Sequence, residues 1–196
     1  MTRILGIDPG TRVLGYGVVV RRSSPRGLDF EYLECGVVRT PASADMVERL
    51  GVIGRTLAEI IAELRPDEVA IEKAFHGRNA ASALKLGQAR GAIMLLAAQH
   101  ALPLWEYAPS QIKQVVVGHG RATKHDVQQR VRMLLRLRKE PSSDAADALA
   151  IALCHGTRGP SLTPVPAVPS RLRKPSQRGN PPVNGGKQPS TRKATP

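Results

Sequence analysis

Apolar residues dominate three early runs, "RILGID", "VLGYGVVVR" and "LDFEYLECGVVRT", and turn-forming residues divide them: Pro9-Gly10 after the first, Ser23-Ser24-Pro25-Arg26-Gly27 after the second. β-branched and aromatic content bounded by Pro, Gly and Ser predicts three successive antiparallel strands. The period then changes. Over "SADMVERLGVIGRTLAEIIAELR", Met46, Leu50, Ile53, Leu57, Ile60, Ile61 and Leu64 recur at helical spacing with polar residues between them, which predicts an amphipathic helix laid on the sheet. Pro66-Asp67 ends that helix, since proline has no amide hydrogen to donate. "EVAIE" follows as a short strand, apolar except at its two ends.

The segment "NAASALKLGQARGAIMLLAAQHA" is helical in pattern but small or apolar around most of its circumference. Such a helix is either deeply buried or shared with another molecule, and a domain of this size favours the second. "LPLWEYA" predicts a further strand, "SQIKQVVVG" a short helix, "TKHDVQQRVRMLLRL" another and "SSDAADALAIALCH" the last. Strands and helices in this order predict an α/β sandwich: a mixed five-stranded sheet, its three antiparallel strands first, flanked by helices.

Composition narrows the partners. A chain of 196 residues holds one domain with a real core and is too short for two full-sized ones. Its net charge of +13 and pI near 10.7 point to a polyanion, nucleic acid before an acidic membrane surface. No apolar run approaches the roughly 20 residues that span a bilayer, and Asp8 interrupts the N-terminal apolar stretch before it could act as a signal peptide. The expectation is a soluble, cytoplasmic protein with no membrane partner. Cys35 and Cys154 have no C-x-x-C spacing and read as small buried apolar residues, neither zinc ligands nor a disulfide.

The charge is uneven. Residues 157–196 carry eight Lys or Arg, no Asp or Glu, and nine of the 16 prolines, against 21 basic and 16 acidic residues in 1–156. So few apolar side chains cannot offset the entropy of ordering such a tail. The expected organisation is a folded unit over residues 1–156 and a disordered basic arm over 157–196.

Within that cationic body, four acids fall at element ends: Asp8 closes the first strand, Glu72 the fourth, and Asp144 and Asp147 stand in the opening turns of the final helix. Three apart on a helix, the last two share a face. Each alone has a plainer role. Asp8-Pro9-Gly10 also makes a β-turn, Glu72 could be a solvated strand end, and acids in a first turn complement the helix dipole. Together, a cluster of acids in a basic protein is electrostatically wasteful unless divalent cations bridge it to an anion, and hard cations such as magnesium prefer carboxylate oxygens. Four carboxylates holding two metal ions suit phosphodiester hydrolysis, with Asp8 bridging the ions.

The blocks "GIDPGTRVLGYGVV", "AIEKAF", "NAASALKLGQARG", "QIKQVVVGHGRATK" and "DAADALAIALCH" resemble, in order and along nearly the whole body, the RuvC-type Holliday junction resolvases. The resemblance implies a ribonuclease H-like fold and a homodimer. It implies a structure-selective endonuclease that resolves four-way DNA junctions by paired symmetric nicks during homologous recombination and repair. Two magnesium ions per active site are implied, with manganese as a substitute, and the branch-migration complex RuvA–RuvB as a partner. Catalysis and metal binding fall to Asp8, Glu72, Asp144 and Asp147. Phe75 matches the aromatic that inserts at the junction in this family and stacks on an unpaired base, while Lys113 and Lys124 match lysines near the DNA backbone and active site. Lys85, Arg90 and Arg121 are basic enough to touch phosphate.

Two other readings compete. The phosphate loop of actin-like and sugar-kinase proteins also opens with a strand, Asp and Gly-Thr, but needs a second domain to close over its nucleotide, which about 150 folded residues cannot supply. A junction-binding scaffold with a decayed site is the non-enzymatic rival, and here all four carboxylates are in place. "GHGRATK" and "NGGKQ" lack residues that dinucleotide and phosphate loops require.

Overall fold

In a computed structural model of the chain, which describes residues 1–25, 27–73 and 80–158, the order of elements is the one the residue pattern predicts. Strands β1 (Thr2–Asp8), β2 (Val13–Ser24) and β3 (Gly27–Arg39) precede helix α1 (Met46–Leu64). After it come β4 (Glu68–Glu72), α2 (Ala80–Gln99), β5 (Leu104–Tyr107), α3 (Pro109–Val117), α4 (Lys124–Leu134) and α5 (Ser143–Arg158). The sheet runs β3-β2-β1-β4-β5. β1–β2 and β2–β3 are antiparallel, and β1–β4 and β4–β5 are parallel.

Local chemistry sets the element ends. Asp45 caps α1 by accepting from the Glu48 amide at 2.8 Å. Pro66 disfavours right-handed helix at the residue before it, and Arg65 accordingly takes φ 46° and donates its N–H to Ile61 O. Thr123 and Asp126 form a reciprocal capping box that starts α4 at Lys124.

Side-chain alternation along the strands feeds two cores. Leu5, Ile7, Val69 and Ile71 pack under α1 and α2 on one face, whereas Ile4, Ala70, Trp105 and Tyr107 meet α3, α4 and α5 on the other. The alternation therefore aims Asp8, Glu68 and Glu72 at α5. That helix is the centre of the fold: Ala145, Ala146 and every residue from Ala148 to Gly156 are buried. It lies close to the sheet because the strands beneath it carry glycine. A Cβ on Gly6 would sit 2.1 Å from Ala148 O, on Gly15 2.0 Å from Asp144 O, and on Gly17 2.7 Å from the Leu149 side chain.

α2 differs. It buries only Ala89, Ile93 and Ala97 and leaves Leu84 66% and Leu95 60% exposed. Of the two fates open to an apolar-all-round helix, deep burial belongs to α5 and an open apolar surface to α2. Cys154 is buried as expected, but Cys35 is only half-buried, and both are free thiols. The reason is position: Cys35 lies on the edge strand β3, where no further strand covers it. α5 runs on through Thr157 and Arg158, past the expected boundary at 156. Phe75 and the arm from 159 onward lie outside the described residues. Among those described, no helix is long and apolar enough to cross a membrane.

Candidate active site

β1 and β4 are parallel and in register from Ile4↔Glu68 to Ile7↔Ile71, so the next step sets Asp8 beside Glu72 at the same end of neighbouring strands, about 4.8 Å apart in backbone spacing. The antiparallel partner of Asp8 is Gly15, and Gly15 is where the backbone of Asp144 rests on the sheet. The first turn of α5 thus lies over Asp8, and Asp147 follows one turn later. All four acids meet outside the carboxyl ends of the parallel strands, the usual place for a site in an α/β sheet.

Their charges are poorly compensated. Burial, then the nearby Glu72 and Asp147, push the Asp8 carboxyl up to about 7, with Lys124 pulling the other way. Burial and Asp147 raise Glu72, opposed by Lys124 and Lys113. Burial raises Asp147 as well, and Lys124 again opposes it. The Lys124 ammonium stands 3.3 Å from Asp147 Oδ2, and it holds its proton more tightly because of that carboxylate. The Thr123–Asp126 capping box sets Lys124 in the first turn of α4, a position unfavourable to the helix dipole, and from there its ammonium reaches Asp147.

Among the described residues, no three His, Cys, Asp or Glu side chains stand close enough together to enclose a metal as they are. The donor set nevertheless fits a hard divalent cation: four carboxylates, oxygen only, with more negative charge than one lysine contact balances. A cation would relieve the repulsion that raises Asp8.

The remaining site candidates separate. Lys113 on α3 acts electrostatically on both Glu72 and Asp147, which places it at the site. Lys85 on α2 and Arg121 in the α3–α4 loop are exposed. Arg90 is held within the fold: its Nε donates to Glu106 Oε1 at 2.8 Å, and its Nη2 makes an ion pair with the same oxygen. That engagement ties α2 to β5 and leaves Arg90 less available to DNA than the exposed Lys85 and Arg121. Phe75 lies outside the described residues.

Two features escaped the reading by motif. One is the set of glycines under α5, whose signal is the alternation Gly6, Asp8 on β1 and Gly15, Gly17 on β2. The other is a buried cluster at the far end of the same helix, where His155 meets Glu68 and Tyr107. The sequence carries no signal for it: Glu68 and Glu72 are four apart on one strand, but nothing in the residue order pairs either with His155, 87 positions from Glu68.

Known proteins resemble this chain in sequence and in fold. The family model for the crossover junction endodeoxyribonuclease RuvC matches residues 4–155. The protein of that name from Halorhodospira halophila is 56% identical over 155 residues, 79% of this chain and 90% of that protein. The one from Pseudomonas putida is 49% identical over 173 residues, 88% of this chain and 97% of that protein. Among solved structures, Thermus thermophilus RuvC in complex with a Holliday junction substrate superposes with a TM-score of 0.74 at 38% identity, covering 81% of this chain and 94% of that one. With its ribonuclease H-like sheet, its four acids at the ends of β1 and β4 and the start of α5, and a family match along nearly all of the folded body, the chain belongs to the RuvC family of crossover junction endodeoxyribonucleases.

Proposed function

We propose that this protein cleaves four-way DNA junctions by paired symmetric nicks, in homologous recombination and DNA repair, using divalent metal ions held by Asp8, Glu72, Asp144 and Asp147. The observation that carries this reading is the gathering of four acids at the ends of β1, β4 and α5, with Asp8 raised to about 7 by burial and by its neighbours, in a chain of net charge +13. Two magnesium ions, with manganese able to replace them, would activate a water on one side of the phosphodiester and stabilise the leaving 3′ oxygen on the other. The chain's own groups do the rest. A cation held there would favour the charged form of Asp8, which burial and the neighbouring acids disfavour. Lys124 and Lys113, opposite the acids, supply positive charge to the approaching phosphate and limit repulsion between it and the carboxylates. The deciding experiment is cleavage of a mobile four-way junction, with and without magnesium, beside a linear duplex of equal length. Equal cleavage of both, or none of either, would end the proposal.

Two equivalent nicks call for two equivalent sites, and the open apolar face of α2 suits a symmetric contact between two copies. Ala92→Glu or Leu95→Glu should shift the sedimenting species toward monomer, and a wild-type chain that is monomeric at micromolar concentration would refute the homodimer. Phe75, in the polar stretch "EKAFHGRN", is assigned to stacking on an unpaired base at the junction. Phe75→Ala should then weaken junction cleavage by about 1–3 kcal/mol of lost stacking with little change in melting temperature. The basic segment over 159–196 is assigned to sequence-independent phosphate contact, so its removal should lower the log–log salt slope by about 0.9 per lost contact, for linear and branched DNA alike. Work in the cytoplasm alongside RuvA–RuvB completes the proposal.

A further inference from the structure

α5 meets β4 at both of its ends, and the end remote from the site is the one whose polar groups are paired with each other. His155 is fully buried. Its Nδ1 lies 2.6 Å from the Tyr107 hydroxyl and its Nε2 2.9 Å from Glu68 Oε2. One arrangement satisfies every partner: Tyr107 donates to Nδ1, and Nε2–H donates to the Glu68 carboxylate, the tautomer being assigned from these partners. Burial keeps the imidazole below its ordinary pKa in spite of Glu68, so the neutral ring is the form that fits. Trp105 packs against it with ring centroids 4.5 Å apart, and Arg21 faces the other Glu68 oxygen at 3.8 Å.

The spacing relates this cluster to the acids. From Asp147 to His155 is eight residues of helix, about 12 Å at 1.5 Å per residue. From Glu68 to Glu72 is four residues of strand on one face, about 13 Å. The two elements run antiparallel with matched spans, so pinning His155 on Glu68 brings Asp147 opposite Glu72. Tyr107 adds a second anchor, because it is the register partner of Glu72 on β5. Between the anchors α5 buries Ala148, Ala150 and Ala152 together with Leu149, Ile151 and Leu153; apolar packing of this kind is non-directional, so it presses the helix onto the sheet without choosing a partner for the polar group at its end. At the site end, repulsion among the carboxylates pushes the elements apart.

We infer that His155 is a positioning residue for the carboxylate site: by hydrogen bonding Glu68 and Tyr107 it sets where α5 lies along β4 and β5, and so holds Asp144 and Asp147 in place opposite Asp8 and Glu72. This rests on the proposed metal site, since holding metal needs donors placed to within about 0.5 Å.

The test compares Mn2+ binding by electron paramagnetic resonance in the full chain and in His155→Leu, His155→Gln and Tyr107→Phe, well below each unfolding transition. His155→Leu should weaken Mn2+ binding about tenfold, the scale of a lost supporting contact at a metal site. The metal concentration for half-maximal junction cleavage should rise in parallel. Cleavage at saturating metal and metal-free junction affinity should stay near wild type. His155→Gln, whose Nε2 can still donate to Glu68, should recover most of the affinity. A lowered melting temperature with unchanged Mn2+ affinity makes His155 a packing residue and overturns the inference. If His155→Leu does not fold, Tyr107→Phe decides, because it removes one hydroxyl and keeps both rings: weaker Mn2+ binding supports the inference and unchanged binding overturns it. A wild-type chain that binds no Mn2+ overturns the metal site and this inference together.

Discussion

One strand face and one helix meet twice in this molecule, with opposite outcomes. At the far end, Glu68 receives a hydrogen bond from His155 and faces Arg21, so both carboxylate oxygens have partners where they lie. At the near end, Glu72 faces Asp147 and Asp8, and every shift among them for which a cause is resolved begins with burial and is raised further by a neighbouring acid. The same residue type four positions apart on β4 is in one place satisfied and in the other left short of positive charge. The stable end holds the elements in position, and the unstable end keeps a demand for cations. Strain of this kind at a functional site is sustained by satisfied contacts elsewhere.

The largest effect expected from disturbing this pairing is on catalysis. Asp8→Asn should abolish junction cleavage while leaving metal-free junction binding intact, since phosphate contacts lie elsewhere. The same change should stabilise the metal-free protein at pH 8, by about 1 kcal/mol or a few degrees of melting temperature, because it removes a repelled carboxylate. Loss of stability would place Asp8 in a supporting role and undo the contrast between the two ends.

Next in size is the support beneath α5. Gly15→Ala places a Cβ 2.0 Å from Asp144 O, against backbone that cannot turn aside, and should cost about 1–3 kcal/mol in urea unfolding. Because the atom displaced belongs to Asp144, metal affinity should fall as well. Gly27→Ala is not a control here, since Gly27 has φ +114°; Gly54→Ala is, since its Cβ meets nothing within 4 Å.

A third test uses pH. The Asp8 carboxyl stands at about 7 in the folded chain against an ordinary 3.8, so between those values the folded state keeps a proton that the unfolded state has lost. Its contribution is full below about pH 4 and is lost as pH rises to about 7, an order of about 2–4 kcal/mol. Measured as wild type minus Asp8→Asn, metal-free stability should therefore fall from pH 5 to pH 8, and saturating magnesium should flatten the curve. A difference that rises with pH would contradict the uncompensated site.

The smallest effect is expected at Lys124. Its ion pair with Asp147 is mostly open to water, with the lysine side chain 72% exposed, and such pairs contribute about 0–1 kcal/mol. Lys124→Ala should barely move the melting temperature yet reduce cleavage. A large fall in stability would mean that the near end is satisfied after all.

Much of this was legible in the residue order. Strand and helix periods are local properties, so the ten elements could be read from alternation, helical spacing and Pro66. Asp8, Glu72, Asp144 and Asp147 could be picked out because each stands at an element end. Exposure was not legible in the same way. "NAASALKLGQARGAIMLLAAQHA" and "SSDAADALAIALCH" are both rich in small residues, and only the size of the domain, not the residues of either segment, favoured an open face for the first.

Partnership between distant residues was equally hidden. Arg90 carries the same charge as Lys85 and Arg121, and only the approach of α2 to β5 gives it to Glu106. His155 stands 87 positions from Glu68, a separation over which no period or motif carries information. Their contact exists because the parallel crossover returns β4 beside β1 and the glycines of β1 and β2 let α5 lie flat across them. Composition and spacing act over a few residues. Which buried polar group meets which is set by how whole elements stack, and that stacking turns one glutamate of β4 into an anchor and leaves the other facing acids.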